Sequence, residues 1–260
     1  MIHSEKNSFQ ELFKDKRYIR GKNYLYNYLL RKRAIKKCLK DDHSELMLEV
    51  GSGISPLVTD ISNIVYSDIS FAAISLLKQD LRQGYYVVAD GTQLPFKSNT
   101  FSHVICSEVL EQLQNDRQAI DEIRHALKKP QGCLIVTVPH RRRYFGCDDR
   151  YVKHYRRYEI GDIKERLLAA GLQPGRIQKV LGPLEKITMI LAVSLFSFIS
   201  RGKPVKRASG KISRSMLIDL IIWLFKWTNQ FYKGYVWLDA KIMPMSLATV
   251  ILIKSTVAGK

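Results

Sequence analysis

Two aspartates and two glycines carry the most readable chemistry in this chain. Asp68 closes the apolar run Ile64-Val65-Tyr66, and Asp90 closes the run from Tyr85 to Ala89, so each carboxylate is expected just beyond the carboxyl end of a strand. In an open parallel sheet the ligand crevice lies outside those ends, and acids chosen only for solubility have no reason to gather there. Gly51 and Gly53 end a third apolar run, Leu46-Met47-Leu48 with Val50. Glycines one residue apart allow a tight turn and let backbone amides approach a ligand at a helix start. Asp68 also stands about where a mononucleotide fold places an acid on ribose hydroxyls.

Several elements must position these groups. Leu46 to Val50 has the composition of a central parallel strand covered on both faces. Ser70 is the expected cap of a helix through Leu81, and Asn115 or Asp116 opens another with Ile120, Ile123 and Leu127 facing the sheet. A strand over 133–138 follows. Ahead of the glycine turn, residues 9–40 repeat Tyr24, Leu25, Tyr28, Leu29 and Ile35 at helical intervals, which predicts one or two basic helices over the crevice mouth. Tyr18 and Arg20 there are expected on a solvated face rather than on a ligand.

The motifs together resemble the class I S-adenosylmethionine-dependent methyltransferases, most closely the group labelled methyltransferase type 11. Leu48-Glu49-Val50-Gly51-Ser52-Gly53 is similar to that family's first motif and Ser67-Asp68-Ile69-Ser70 to its second. The stretch from Ala89 to Phe96 and the stretch from Val104 to Glu111 are similar to the third and fourth. Lys129-Pro130-Gln131-Gly132, Val136-Thr137-Val138-Pro139 and His154-Tyr155-Arg156-Arg157-Tyr158 extend the likeness to about residues 40–175. Ser55, Ser102 and Gln112 depart from it, standing where a third glycine, an aspartate and a histidine are common.

The resemblance implies an α/β fold: a Rossmann-like, seven-stranded, mostly parallel sheet with helices on both faces and an antiparallel last strand. It also implies S-adenosylmethionine as cofactor and assigns roles. Gly51, Ser52 and Gly53 would admit the methionine and ribose portion, with Glu49 behind the turn near the amino group. Asp68 would accept both ribose hydroxyls, one carboxylate having the two oxygens a diol needs. Ile69 would sit beside it, Asp90 and the Gly91 amide would take the adenine, and Ser107 would line the methionine end. A hydride-transfer dinucleotide enzyme is disfavoured, because the full G-x-G-x-x-G and a second βαβαβ half are missing.

Methyl transfer from a sulfonium needs alignment and a partly dehydrated pocket more than a protein nucleophile. A hydroxyl or carbon acceptor gains from a general base, and His140, Glu111 and His154 are the candidates, with His140 directly after the fifth strand. No metal is expected. Between His140 and Tyr158, arginines interleave with tyrosines, a combination suited to an anionic acceptor or to RNA. No Asn-Pro-Pro-Tyr-like tetrapeptide or appended RNA-binding domain accompanies it, which places nucleic acid second.

Charge is unevenly spread. The chain of 260 residues carries a formal +18, yet residues 46–139 hold 7 basic against 10 acidic side chains, so the flanks are the basic surfaces. The four cysteines lack paired spacing, as expected for reduced thiols, and 1–10 lacks the apolar core of a secretory signal, so a cytoplasmic location is expected.

Residues 187–200 are free of charge and 216–227 are strongly apolar, while 201–215 hold six basic residues and no acid. Neither apolar run is long enough to span a bilayer, so an anionic membrane surface, a lid over an apolar acceptor or a dimer interface is the expected use. The expected organisation is basic capping helices over 1–45, a cofactor-binding core over 46–180, an apolar and basic helical insertion over 181–237 and a closing strand over 238–260. The expected activity is methyl transfer to a small, lipid-linked, quinone-like or anionic glycan acceptor, with an RNA methyltransferase or a non-catalytic cofactor-binding module as alternatives.

Overall fold

In a computed structural model of the protein, residues 23–39, 45–201 and 214–258 are described. Tyr18, Arg20 and most of the basic stretch 201–215 lie outside them. Seven strands form one sheet: β1 Met47–Val50, β2 Ile64–Asp68, β3 Tyr85–Val88, β4 His103–Ser107, β5 Cys133–Pro139, β6 Leu172–Leu181 and β7 Val250–Val257. Their order is β3-β2-β1-β4-β5-β7-β6. Strands β1 to β5 pair in parallel, while β7 runs antiparallel to both β5 and β6. This is the Rossmann-like sheet with an antiparallel last strand.

The order reverses at β1, which pairs with β2 on one side and β4 on the other. A crevice must open outside the carboxyl ends there, because the connections leave β1 and β4 in opposite directions. Strand β5 is buried along its whole length, as a strand covered on both faces should be.

Helices cover both faces. On one, Ile120 and Ile123 of α3 (Asp116–Ala126) and Ile163 and Leu167 of α5 (Ile160–Ala169) pack with Leu48, Val104 and Val136. On the other, Ile35 of α1 (Tyr26–Lys36), Leu77 of α2 (Phe71–Leu81) and Val236 of α7 (Arg214–Ile242) pack with Met47, Ile105 and Ile135. The expected caps form: Ser70 accepts the Ala73 amide and Asn115 the Gln118 amide.

Helices α6 (Pro183–Arg201) and α7 make up the carboxyl-terminal addition. Here the structure departs from the expected boundaries. Leu238 to Lys241 continue α7 rather than the closing strand, because Val236 and Ala240 keep its helical face on the core until Pro244 follows the helix end. The strand itself begins at Val250.

Gly51 is a tight point of the fold. Its φ of +69° is left-handed, and a Cβ there would lie 2.3 Å from Val109 Cγ2, so both backbone freedom and the missing side chain are required. Gly51→Ala should therefore lower unfolding free energy by about 1–3 kcal/mol in a denaturant titration. Adding Val109→Ala should recover part of that loss by removing the collision, leaving the backbone strain.

Candidate functional site

The glycine turn is tied to the neighbouring strand end. Gly53 donates its amide to Asp68 Oδ2 at 2.9 Å, and Ser70 donates its amide to Oδ1 at 2.9 Å, so the carboxylate is fixed between the turn and the start of α2. A carboxylate has about four lone-pair sites, so these two amide bonds do not by themselves saturate it. Ser52 is buried and turned toward β2, donating its amide to Ser67 O at 3.0 Å. Ile69 projects outward from the same corner with 47% of its surface exposed, an apolar platform beside the carboxylate.

Glu49 is placed differently from the other turn residues. It is buried within β1 and its two oxygens take the amides of Leu57 at 2.7 Å and Val58 at 3.2 Å. Burial pushes its carboxyl up to about 7, with the two amide bonds opposing the rise. The group thus braces the segment that follows the turn.

At the next strand end, Asp90 Oδ1 accepts both the amide and the hydroxyl of Thr92, at 2.9 and 2.8 Å. That fixes the carboxylate plane through one of its oxygens. Gly91 follows with Val50 Cγ1 and Leu113 Cδ1 near its α-carbon. Beyond β4, Ser107 Oγ pairs with Thr137 Oγ1 at 2.7 Å, and Thr137 Oγ1 donates to Glu108 Oε1 at 3.1 Å. Glu108 itself is a non-glycine residue with a φ of +56°, a strained conformation of the sort found at functional positions. The Arg31 guanidinium lies 3.9 Å from Glu108 Oε2, which brings α1 to this corner.

Residues expected to supply a base are separated by the structure. His140 is fully buried: its amide donates to Thr249 O, Nδ1 lies 3.1 Å from Ala248 O, and Nε2 stands 4.0 Å from Glu159 Oε2. Burial lowers its pKa, so it is a neutral ring lodged between β5 and β7 rather than a group facing the crevice. Glu111 and His154 are instead brought together, with Nε2 of His154 3.6 Å from Glu111 Oε1. Glu111 is fully buried with neither oxygen hydrogen-bonded among the described residues, and burial, followed by the neighbouring Glu108, raises its pKa well above the usual carboxyl range.

The run His154 to Tyr158 works as a clasp. His154 Nδ1 lies 3.1 Å from Asp149 Oδ1, and Arg157 Nε donates to both oxygens of Asp149 at 2.8 and 2.9 Å. Arg156 and Tyr158 reach instead to Asp116 on α3, at 2.9 and 2.6 Å. Only the Tyr155 side chain points outward. Asp149 and Asp148 of α4 (Cys147–Tyr151) also receive Lys186 of α6 at 2.8 and 2.7 Å. Arg141 and Arg142 pair with Glu159 and Asp162. Most guanidiniums that looked free for an anionic acceptor therefore already have carboxylate partners. The sequence signal for this was present in the acids Asp148, Asp149 and Asp116, but they become partners only once α3, α4 and α6 meet.

Removing Asp149 would leave two buried cations, Arg157 and Lys186, sharing Asp148 alone. Asp149→Ala should lower stability by about 3–5 kcal/mol in chemical denaturation, a loss typical of breaking one side of a buried pair.

Glu185 supplies a pH test. Thr249 Oγ1 donates to its Oε2 at 2.9 Å, and burial pushes its carboxyl up to about 7 from its ordinary 4.5. The neutral form is therefore fully stabilising below pH 4.5 and that contribution is lost as pH rises through 7. Glu185→Gln should raise the melting temperature at pH 8 and bring no gain at pH 4.5, checked by calorimetric scans at both values.

Comparison with known proteins fits this geometry. Residues 48–136 match the model of a methyltransferase domain, the Methyltransf_11 family. An uncharacterised protein of Methanocaldococcus jannaschii is 40% identical over 95 residues, covering 36% of this chain and 40% of that protein. A ubiquinone/menaquinone biosynthesis C-methyltransferase of Coxiella burnetii is 31% identical over 115 residues, 40% of this chain and 46% of its own length. The chain thus spans less than half the length of these curated relatives. A solved complex of the Haloferax volcanii Trm112 methyltransferase activator with a methyltransferase superposes with a TM-score of 0.62 at 13% identity, over 96% of this chain and 97% of the other, a likeness of fold. The cofactor of this family is S-adenosylmethionine, and a fixed carboxylate at each of two strand ends beside a glycine turn fits it. Through residues 48–136 the chain carries a methyltransferase domain similar to those of the class I S-adenosylmethionine-dependent methyltransferases.

Proposed function

We propose that the protein transfers a methyl group from S-adenosylmethionine to a lipid-linked or quinone-like acceptor, working against a membrane surface. The observation that carries the methyl-transfer reading is the pair of fixed carboxylates, Asp68 and Asp90, at the ends of β2 and β3 on one side of the Gly51 to Gly53 turn. Asp68 would hold the ribose diol through its two oxygens, Asp90 Oδ2 the adenine amino group beside the Gly91 amide, and Ile69 the adenine face. Gly51, Ser52 and Gly53 would admit the remainder against backbone, with Ser107 at the methionine end and Glu49 supporting the turn from behind.

When bound, the cofactor supplies a methyl group carried on a sulfonium for in-line transfer to an electron pair on the acceptor. The chain's part is to align the two and exclude water. Glu108 is the base this geometry favours over His140. Its carboxylate is partly accessible, held by Thr137, and set at the end of β4. It would receive the proton that a hydroxyl or acidic carbon must lose as the new bond forms, while Glu111 keeps its own proton beside it.

Among acceptor classes, the lipid-linked or quinone-like reading draws support from the Coxiella burnetii relative and from the apolar addition α6 and α7. An anionic glycan draws less, because Arg141, Arg142, Arg156 and Arg157 are paired within the protein. Among the described residues no helix is long and apolar enough to cross a membrane, so a membrane role means resting at the surface. The organisation that goes with this reading is a core over 46–180 bearing the cofactor, α1 at its mouth, and α6 with α7 as the acceptor-side addition.

Incubating the protein with tritiated methyl donor and separated lipid and RNA fractions of cells should put label into the lipid fraction. Label in RNA would replace the reading with RNA methylation, and label in neither would point to a non-catalytic module or to a small acceptor outside both fractions.

A further inference from the structure

The part of the molecule that methyl transfer leaves unexplained is the outer face of α7. At about 100° per residue, Trp223, Trp227, Phe231, Tyr235, Leu238 and Ile242 fall on one side of this helix. Asn229, Val236 and Ala240 fall on the opposite side and are buried against the core. The outward side is apolar as well: Trp227 is 52% exposed, Phe231 69%, Tyr235 68% and Ile242 67%. Successive rings touch along it, with centroids 6.0 Å apart for Trp223 and Trp227 and 6.3 Å for Trp227 and Phe231. On neighbouring α6, Ile187 and Leu191 are also exposed. A helix apolar on both sides carries one face too many for a partner-free protein in water, where contiguous exposed patches of this kind mark interaction surfaces.

Charge around the stripe selects what covers it. Between Trp223 and Ile242 the single acid is Asp239, and it is turned inward to accept the Leu184 amide at 3.0 Å. Lys226, Lys233 and Lys241 border the stripe, with Lys226 over the Tyr24 ring and Lys241 over the Trp237 ring. In sequence, 201–215 adds six basic residues and no acid just ahead of the helix. Two copies of such a face would bring like charges together in a self-complementary contact. An anionic lipid surface would meet the same charges with attraction worth about 1 kcal/mol for each Lys or Arg near it. Tryptophan and tyrosine are the aromatic residues that settle at the headgroup level.

We propose that the outward stripe of α7, from Trp223 to Ile242, lies in the headgroup layer of an anionic leaflet with the helix parallel to the membrane plane. The bordering lysines contact lipid phosphates while the aromatic rings enter the acyl boundary. This deepens the reading of a lipid-linked acceptor by naming the surface that brings the protein to it. It is measured without methyl donor or acceptor, so the two can fail separately.

The test uses the full chain with vesicles of phosphatidylglycerol and phosphatidylcholine in equal parts, against vesicles of phosphatidylcholine alone. The protein should sediment with the anionic vesicles, its tryptophan emission should move to shorter wavelength on binding, and added salt should weaken the association. The double variant W227S/F231S, with an unchanged circular dichroism spectrum, should bind at least tenfold more weakly. Equal binding by variant and parent would overturn the assignment. So would a parent protein that ignores the anionic vesicles, either as a monomer whose stripe is covered by its own chain or as a dimer in velocity sedimentation.

Discussion

Strand β1 pairs in parallel with β2 on one side and β4 on the other, and everything functional in this protein depends on that double pairing. It sends the chain away to both faces of the sheet and leaves the carboxyl ends of three adjacent strands around one opening. Gly51 can then turn only with a positive φ and no side chain, because Val109 from the end of β4 fills the space its Cβ would need. The Asp68 carboxylate closes the arrangement by taking the Gly53 amide, so turn and acid are placed by the same bond. A donor molecule would meet groups already oriented, which lowers the ordering cost of binding.

Electrostatics divide the molecule into three zones. The turn region is nearly balanced and uses its acids singly, each fixed by backbone amides or a threonine. Around α4 a dense buried network of Asp148, Asp149, Arg157 and Lys186 holds the start of α6 against the end of β5. Its hydrogen-bonding partners hold Asp149 well below the usual carboxylate range despite the opposing effect of burial. Glu111 and Glu185, buried nearby without enough cationic partners, move the other way. Acids within one region thus divide, Asp149 as an ionised clamp and Glu111 and Glu185 as carboxyls that hold their protons to higher pH, as their neighbours dictate. The third zone is the basic and aromatic exterior of α7.

Much of the core was legible in the chain because its signals are local. Apolar runs ending in Gly51, Asp68 and Asp90 locate the strand ends, and Ser70 and Asn115 announce their helices through short capping bonds. What was not legible depends on distant partners. His140 looked like a crevice residue since it follows β5, but the antiparallel arrival of β7 gives its ring a buried place beside Ala248. The arginines from 141 to 157 looked available because their carboxylates lie far away in sequence or on other helices. Leu238 to Lys241 looked like strand until α7 was seen to keep its inner face on the sheet, and its outer aromatics share a side only when the helix is known to be continuous.

The most direct measurement is a crystal structure with S-adenosylhomocysteine, the demethylated donor. The account predicts the ribose hydroxyls on Asp68, the adenine amino group at Asp90, and the amino-acid portion against the backbone of Gly51 to Gly53. A ligand bound elsewhere, or an adenosyl group at this opening with Asp68 and Asp90 both turned away from it, would contradict the account.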